Sequence, residues 1–271
     1  NIVVIDNLCS ESSSRDYMRP NVTYYIEDIR TIDEIEFGTR FDVVFHLAAL
    51  ARIQPSFAEP LTYFEIDAFG TCKVLELARS HGARLVYAGS SSAYGGPMLN
   101  PYAFAKYTGE QACELYAKVY GMNTVVARFF NVYGVRQPTT GPYATVVGIF
   151  EKQTSHGQPL TVTGDGTQRR DFTHVSDIVR GLSSLSVGQH HGEVYQLGTG
   201  VNYSINELAQ MFGGEIQYIA TRPGEAKDTL ASIGNTTART GWVPHARLDE
   251  YVKKFRAELL SPDHQASALT H

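Results

Sequence analysis

Cysteine is scarce in this chain: Cys9, Cys72 and Cys113 stand far apart, odd in number and without a Cys-x-x-Cys pair. That excludes a disulfide framework and a thiolate zinc centre, and it suits free thiols in a reducing compartment. The nine histidines show no ligand-like spacing, and His190-His191 lies in a glycine-flanked loop, so no metal site is expected. There is no excess of positive charge. The formal net charge is −5, which leaves no global basic field for nucleic acid or an anionic membrane and makes a small molecule the expected partner. Long hydrophobic runs are missing too: the longest nearly apolar stretch, Val43 to Ala51, is far below spanning length and contains His46. No charged leader precedes a cleavable apolar core, and the chain reads as soluble and cytoplasmic.

What is present is an ordinary globular composition. With 271 residues, 43% of them hydrophobic and 19% charged, the chain can bury one large core or two adjoining ones. Ile2 to Ile5 is an unbroken β-branched run ending at Asp6-Asn7, the signature of a strand buried on both faces. Val22 to Ile26, Phe41 to Leu47, Arg84 to Ala88 and Thr124 to Phe129 repeat the type. Helical patterns lie between them, at Pro60 to His81 closed by Gly82 and at Pro101 to Tyr120 closed by Gly121. Such alternation predicts a doubly wound parallel α/β sheet.

After Gly134 the texture turns to Gly, Pro and Thr-rich loops. Helices are expected around Thr145 to His156, Asp171 to Val187, Ile205 to Phe212 and Leu248 to Leu259, with strands at Leu160 to Thr163 and Glu193 to Leu197. The expected division gives residues 1–133 and 171–200 to a sheet domain, and 134–170 and 201–271 to a smaller α/β lobe.

The chemistry-bearing residues cluster around one helix start. Asn100 suits an N-cap and Pro101 the first helical position, where a missing N–H costs nothing. Tyr102 and Lys106 then stand at i and i+4 on one face. A free phenol has a pKa of about 10, too high for a base at neutral pH, and a neighbouring ammonium favours the phenolate. Taken alone, this spacing is common by chance. Upstream, a buried strand runs into Gly89-Ser90-Ser91-Ser92-Ala93-Tyr94-Gly95, bringing hydroxyls to the carboxyl end of the sheet, where such folds bind ligands. Asp6 ends another strand, where a carboxylate can accept both ribose hydroxyls of an adenosine, and Asp28-Ile29 ends a third.

Read together, Val4 to Asn7, Asp28-Ile29-Arg30, His46-Leu47-Ala48-Ala49, Ser90 to Gly95, Pro101-Tyr102 with Lys106, and Arg128 to Gly134 form an ordered set. Gly164-Asp165-Gly166, Arg170-Asp171-Phe172 and Arg222-Pro223-Gly224-Glu225 continue it. The set resembles an extended short-chain dehydrogenase/reductase of the nucleotide-sugar epimerase/dehydratase branch, close to the UDP-glucose 4-epimerases, over nearly the whole chain. The resemblance implies a Rossmann-type domain binding NAD, a UDP-sugar substrate and a homodimer paired through the Pro60 to His81 and Pro101 to Tyr120 helices. It makes Tyr102 the acid/base, Lys106 the group that lowers its pKa and holds the nicotinamide ribose, and Ser90 a hydrogen-bond partner of the reacting sugar oxygen. Asp6, Asn7, Asp28, Ile29, Leu47, Ala48, Ala49, Asp67 and Phe129 would complete the cofactor side. Ser92, Asn131, Arg170, Arg222 and Glu225 would hold the nucleotide sugar.

The chain departs from that pattern in three ways. The glycine-rich phosphate loop precedes its ribose carboxylate by about 20 residues in dinucleotide folds, so with Asp6 in that role the loop would lie before residue 1. The expectation is that the first strand, glycine turn and helix are lost from this sequence or truncated, which would open two edges at the sheet centre. Ser90 and Tyr102 are also only a dozen positions apart, about half the family's spacing, and Asp67 stands where the family usually has Asn.

The glutamate that dehydratases and decarboxylases carry before the Tyr-Gly pair is absent, with Ser91 and Ser92 in its region. Elimination of water needs that extra acid/base and epimerisation does not. Epimerisation at carbon 4 of UDP-glucose/UDP-galactose is therefore expected, and the resemblance places the fairly small Thr229 near a position where a small residue admits N-acetylhexosamines as well. A nucleotide-sugar dehydratase or reductase, and a non-catalytic nucleotide-binding module, are the alternatives.

Overall fold

Runs of Val, Ile and Tyr without polar interruption build the main strands. In the computed structural model, which describes residues 1–10 and 15–261, these are β1 (Val3–Ile5), β2 (Thr23–Tyr25), β3 (Val43–His46), β4 (Arg84–Ser90), β5 (Thr124–Phe129) and β6 (Val194–Leu197). Every pairing among them is parallel. The order β6-β5-β4-β3 makes a four-stranded sheet, and β1 with β2 makes a separate pair. β1 and β3 do not pair with each other, so among the described residues each keeps one unpaired edge. Phe45 on β3 and Leu47 just beyond it are 45% and 53% exposed, far more than interior sheet residues normally are.

Helices α1 (Thr71–His81), α2 (Pro101–Tyr120) and α3 (Val175–Leu185) cover the four-stranded sheet on two faces. The period of two along each strand assigns the residues. Leu85, Tyr87 and Val126 pack with Val74, Leu75, Ala78 and Cys113, whereas Val86, Val125 and Ala127 pack with Ile178, Leu182 and Leu185. This is the doubly wound Rossmann-type arrangement. Burying each such aliphatic side chain contributes about 1.5–3 kcal/mol.

Local signals fix α2 at both ends. The Asn100 side chain accepts from the Ala103 N–H at 2.7 Å, Pro101 opens the first turn, and Gly121 closes the helix at φ 66°. Within it, Gly109 lets the helix sit directly on β4, since a Cβ there would collide with the Tyr87 hydroxyl.

A second, smaller core joins Val147 and Phe150 to Leu160, Val162, Leu208, Phe212 and Val252. Its helices are Val146–Ser155, Ile205–Phe212 and Leu248–Leu259, and its strands Leu160–Thr163 and Ile216–Ile219 pair in parallel. Residues 262–271, the end of the range expected for the smaller lobe, lie outside the described residues.

Two expected helices differ. The Pro60 to His81 pattern is α-helical over Pro60–Tyr63 and Thr71–His81, but Phe64–Gly70 winds as a π-helix. The expected Asp171 to Val187 helix begins only at Val175, capped by the His174 side chain, because Arg169–Asp171 is a strand paired antiparallel with Asn202–Ser204. The Asp171 carboxylate, fully buried, accepts from Thr199 and Gly200 N–H groups at 2.8 and 2.9 Å and from Ala231 N–H at 3.1 Å, stitching three segments together.

Candidate active site

The carboxyl end of β4 and the first two turns of α2 meet at the floor of a cleft of about 1000 Å³ between the two cores. β4 delivers Ser90, and α2 delivers Tyr102 and Lys106 from adjacent turns. The Tyr102 hydroxyl donates to Ser90 Oγ at 3.2 Å, and the Ser92 N–H donates to the same oxygen at 3.2 Å. With both acceptor positions of Ser90 Oγ in use, its own proton is left to donate into the cleft. Ser92 Oγ is buried with no hydrogen-bond partner and also lines the cleft, an unfilled valence where a ligand would reach.

The electrostatics differ from the expectation raised by the Tyr-x-x-x-Lys spacing. Burial pushes the Tyr102 phenol up to about 12; the Ser90 hydrogen bond and the Arg52 guanidinium pull it down, while Asp67 and Glu110 push it up. Lys106 Nζ lies over the Tyr87 ring, 4.3 Å from its centroid. Burial lowers the Lys106 pKa, and Asp67 and Glu110 oppose that. Thus the net shift of Tyr102 is upward, because removing a phenolate from water outweighs the Ser90 hydrogen bond and the Arg52 charge together.

Four side chains of alternating sign are packed here: Asp67, Lys106, Glu110 and Arg128. Glu110 accepts from Arg128 Nε at 3.1 Å and also from an Arg128 terminal nitrogen. Asp67, on the π-helical turn, is wholly buried. Its Oδ1 accepts from the Leu50 N–H at 2.7 Å, its Oδ2 has no hydrogen-bond partner, and burial raises its carboxyl pKa to about 6 against the pull of Lys106.

Of the remaining residues singled out from sequence, Leu47, Ala49, Phe129, Asn131, Arg170, Arg222 and Glu225 all line this cleft. Arg170 donates to Glu225 at 3.4 Å, and Asn131 Nδ2 donates to the Asp171 carbonyl at 3.1 Å. Asp6, Asn7 and Asp28 form a separate group at the ends of β1 and β2: Asn7 Nδ2 donates to Asp28 at 3.0 Å, and Asp6 accepts from the Leu8 N–H at 2.8 Å. Asp28 also accepts from Arg30, which lowers its pKa. Ile29 and Ala48 turn their side chains into the core, so only their backbone can meet a ligand, and Asp67 does not line the cleft.

Sequence reasoning passed over Arg52, which lines the cleft just beyond the apolar run that ends at Ala51. With Lys106, Arg170 and Arg222 it brings the cleft's cations to four, against Glu225 as the single carboxylate among the described lining residues. In a protein of net charge −5, this local reversal marks a seat for an anionic ligand.

These features fit NAD at the inner end of the cleft. Leu47, Ala49 and Phe129 give apolar walls, Lys106 offers an ammonium that forms no ion pair among the described residues, and the Asp6 and Asp28 carboxylates suit ribose hydroxyls. Comparison with known proteins agrees. The NAD dependent epimerase/dehydratase family matches residues 1–198. A putative UDP-glucose 4-epimerase of Methanocaldococcus jannaschii is 31% identical, over 93% of this chain and 88% of its own length. The crystal structure of UDP-glucose 4-epimerase from Thermotoga maritima with UDP-glucose superposes with a TM-score of 0.87 at 28% identity, covering 96% of this chain and 91% of the other. That of UDP-glucuronic acid 4-epimerase from Bacillus cereus, in complex with UDP-glucuronic acid and NAD, gives 0.81 at 25% identity, covering 95% and 90%.

Proposed function

The chain belongs to the NAD-dependent epimerase/dehydratase family, and from that membership we propose that it inverts carbon 4 of a UDP-sugar through a transient 4-keto sugar. The observation that carries this reading is the composition of the cleft. It holds the Tyr102–Ser90 pair and four cations, but its single described carboxylate, Glu225, is tied to Arg170. A dehydratase needs a further acid/base beside the sugar ring, and Ser91 and Ser92 stand where it would be.

Tyr102, as phenolate, takes the proton of the sugar 4-hydroxyl and returns it after inversion, while the free Ser90 proton is donated to that same oxygen. The chemistry that NAD supplies when bound is the reversible oxidation of that carbinol carbon to a ketone. Lys106, Leu47, Ala49 and Phe129 would hold its nicotinamide and ribose, and Asp6, Asn7 and Asp28 its adenosine. Asn131, Arg170 and Arg222 hold the substrate diphosphate, for which forked guanidinium donors are suited, and Glu225 its ribose. Held by this end alone, the ketone can turn and present its other face. Thr229, buried with an unpartnered hydroxyl on the cleft wall, lets a substituted hexose enter. The division into a cofactor domain (1–133, 171–200) and a substrate lobe (134–170, 201–271) follows from the same reading.

The experiment is to incubate the protein and NAD with UDP-glucose, UDP-galactose, their N-acetylhexosamine counterparts and UDP-glucuronate, and to resolve the products. Appearance of a 4-epimer supports the reading, and no interconversion of any of them refutes it.

A further inference from the structure

Arg52 is a half-buried cation without a carboxylate counter-ion among the described residues. It precedes the short helix Ile53–Ala58 and reaches into the cleft that contains Tyr102 and Ser90. One terminal nitrogen donates to the Ala51 carbonyl at 2.9 Å and the other to the Tyr143 carbonyl, while Nε is buried and has no partner at all. No carboxylate lies within ion-pair range of it among the described residues. The groups that act on its charge are the Tyr102, Tyr63 and Tyr143 phenols, of which only Tyr102 becomes an anion, and only while it holds no proton during the reaction. The other cleft cations differ: Arg170 has Glu225, Lys106 feels Asp67 and Glu110, and Arg222 is exposed.

A guanidinium held half out of water, with a buried and unpaired Nε–H, is costly to leave uncompensated, so its retention beside the reacting group calls for an anion brought by the ligand. The substrate diphosphate is allotted to Arg170 and Arg222, and Arg52 acts on Tyr102 at the reacting carbon, which places its anion at the sugar end. Tyr102 fixes where carbon 4 must sit, and Arg52 shares its field. In a hexose reacting at carbon 4, the substituent one carbon removed that can carry charge is carbon 6, as a carboxylate.

We propose that Arg52 is a specificity-determining residue that pairs with the carboxylate of a UDP-hexuronate, making a uronic acid rather than a neutral hexose the preferred sugar. This rests on the reading of the cleft as a UDP-sugar 4-epimerase site. The pair forms without a covalent step: the carboxylate displaces water and accepts from the free guanidinium N–H groups, which recognise its planar oxygens.

The test is calorimetric titration of the full chain with NAD present, using UDP, UDP-glucose and UDP-glucuronate, on the wild type, Arg52→Gln and Arg52→Lys. The wild type should bind UDP-glucuronate at least ten times tighter than UDP-glucose. Arg52→Gln should remove that preference, and Arg52→Lys should keep part of it. Equal affinities in the wild type, or a preference that survives Arg52→Gln, overturn the proposal. So does a loss in Arg52→Gln of NAD affinity alone, which would assign the guanidinium to the cofactor's phosphates. Failure of UDP itself to bind the wild type brings down the epimerase reading, whereas UDP binding without uronate preference brings down only the role of Arg52. Circular dichroism of both variants verifies folding, and the lysine variant carries the test if the glutamine variant does not fold.

Discussion

The Tyr102 hydroxyl donates to Ser90 Oγ across 3.2 Å, joining the first turn of a crossover helix to the end of the strand before it. If this pair moves the proton at the sugar oxygen, Tyr102→Phe should lower kcat by about 10²–10⁴-fold, the usual contribution of a positioned general acid/base. Ser90→Ala should lower it less, since it removes the hydrogen bond that pulls the phenol down but leaves the phenol in place. Initial rates at saturating UDP-sugar test both, and full activity of Tyr102→Phe would remove the proposed base.

Asp67 gives a pH dependence of unusual sign. Burial raises its carboxyl from 3.8 to about 6, so between those values the folded protein holds a proton that the unfolded chain has released. Stability therefore falls as pH rises through this window, with the full penalty present above about pH 6. Relative to Asp67→Asn, the wild-type Tm should decline between pH 4 and pH 7. Tm curves that run parallel for the two proteins would contradict it.

Glu110 and Arg128 form a buried ion pair under β4, with side chains 2% and 18% exposed. Arg128→Ala strands the Glu110 carboxylate and should destabilise the fold by about 3–5 kcal/mol, while replacing both residues by apolar ones should cost much less. Urea unfolding midpoints of the single and double variants distinguish an isolated charge from a simple loss of contacts.

Leu61, Phe69, Leu115 and Val119, on or beside the helices expected to pair two subunits, are 72%, 61%, 54% and 61% exposed. A homodimer closed by a four-helix contact should bury them, and Leu115→Glu with Val119→Glu should shift it toward monomer in sedimentation velocity. A wild type that sediments only as monomer at all concentrations rejects the pairing.

Where the sequence carried local signals, the reading was sound. Asn100, Pro101 and Gly121 delimit α2 because capping is decided within a few residues, and the β-branched runs became the parallel strands. The π-helical turn at Phe64–Gly70 was not legible, since the close seat of Gly70 against Ile29 is a tertiary contact. The sequence pattern starts a helix at Asp171 rather than ending a strand there, because the strand's partner, Asn202–Ser204, lies some thirty residues on. The residues drawn from the family pattern that line the cleft were found together, but the upward shift of Tyr102 was not foreseen, because burial is a property of the folded chain. Arg52 was missed for the same reason: only the fold reveals a guanidinium without a carboxylate partner.

Reversible oxidation at carbon 4 followed by return of the same hydrogen is tested most directly by proton NMR of a UDP-sugar incubated with the protein and NAD in deuterated water. The expected product is a 4-epimer whose carbon 4 keeps its original hydrogen, with no deuterium at any ring position and NAD unchanged. A product carrying ring deuterium, loss of water or of carbon dioxide from the sugar, or no 4-epimer at all would contradict it.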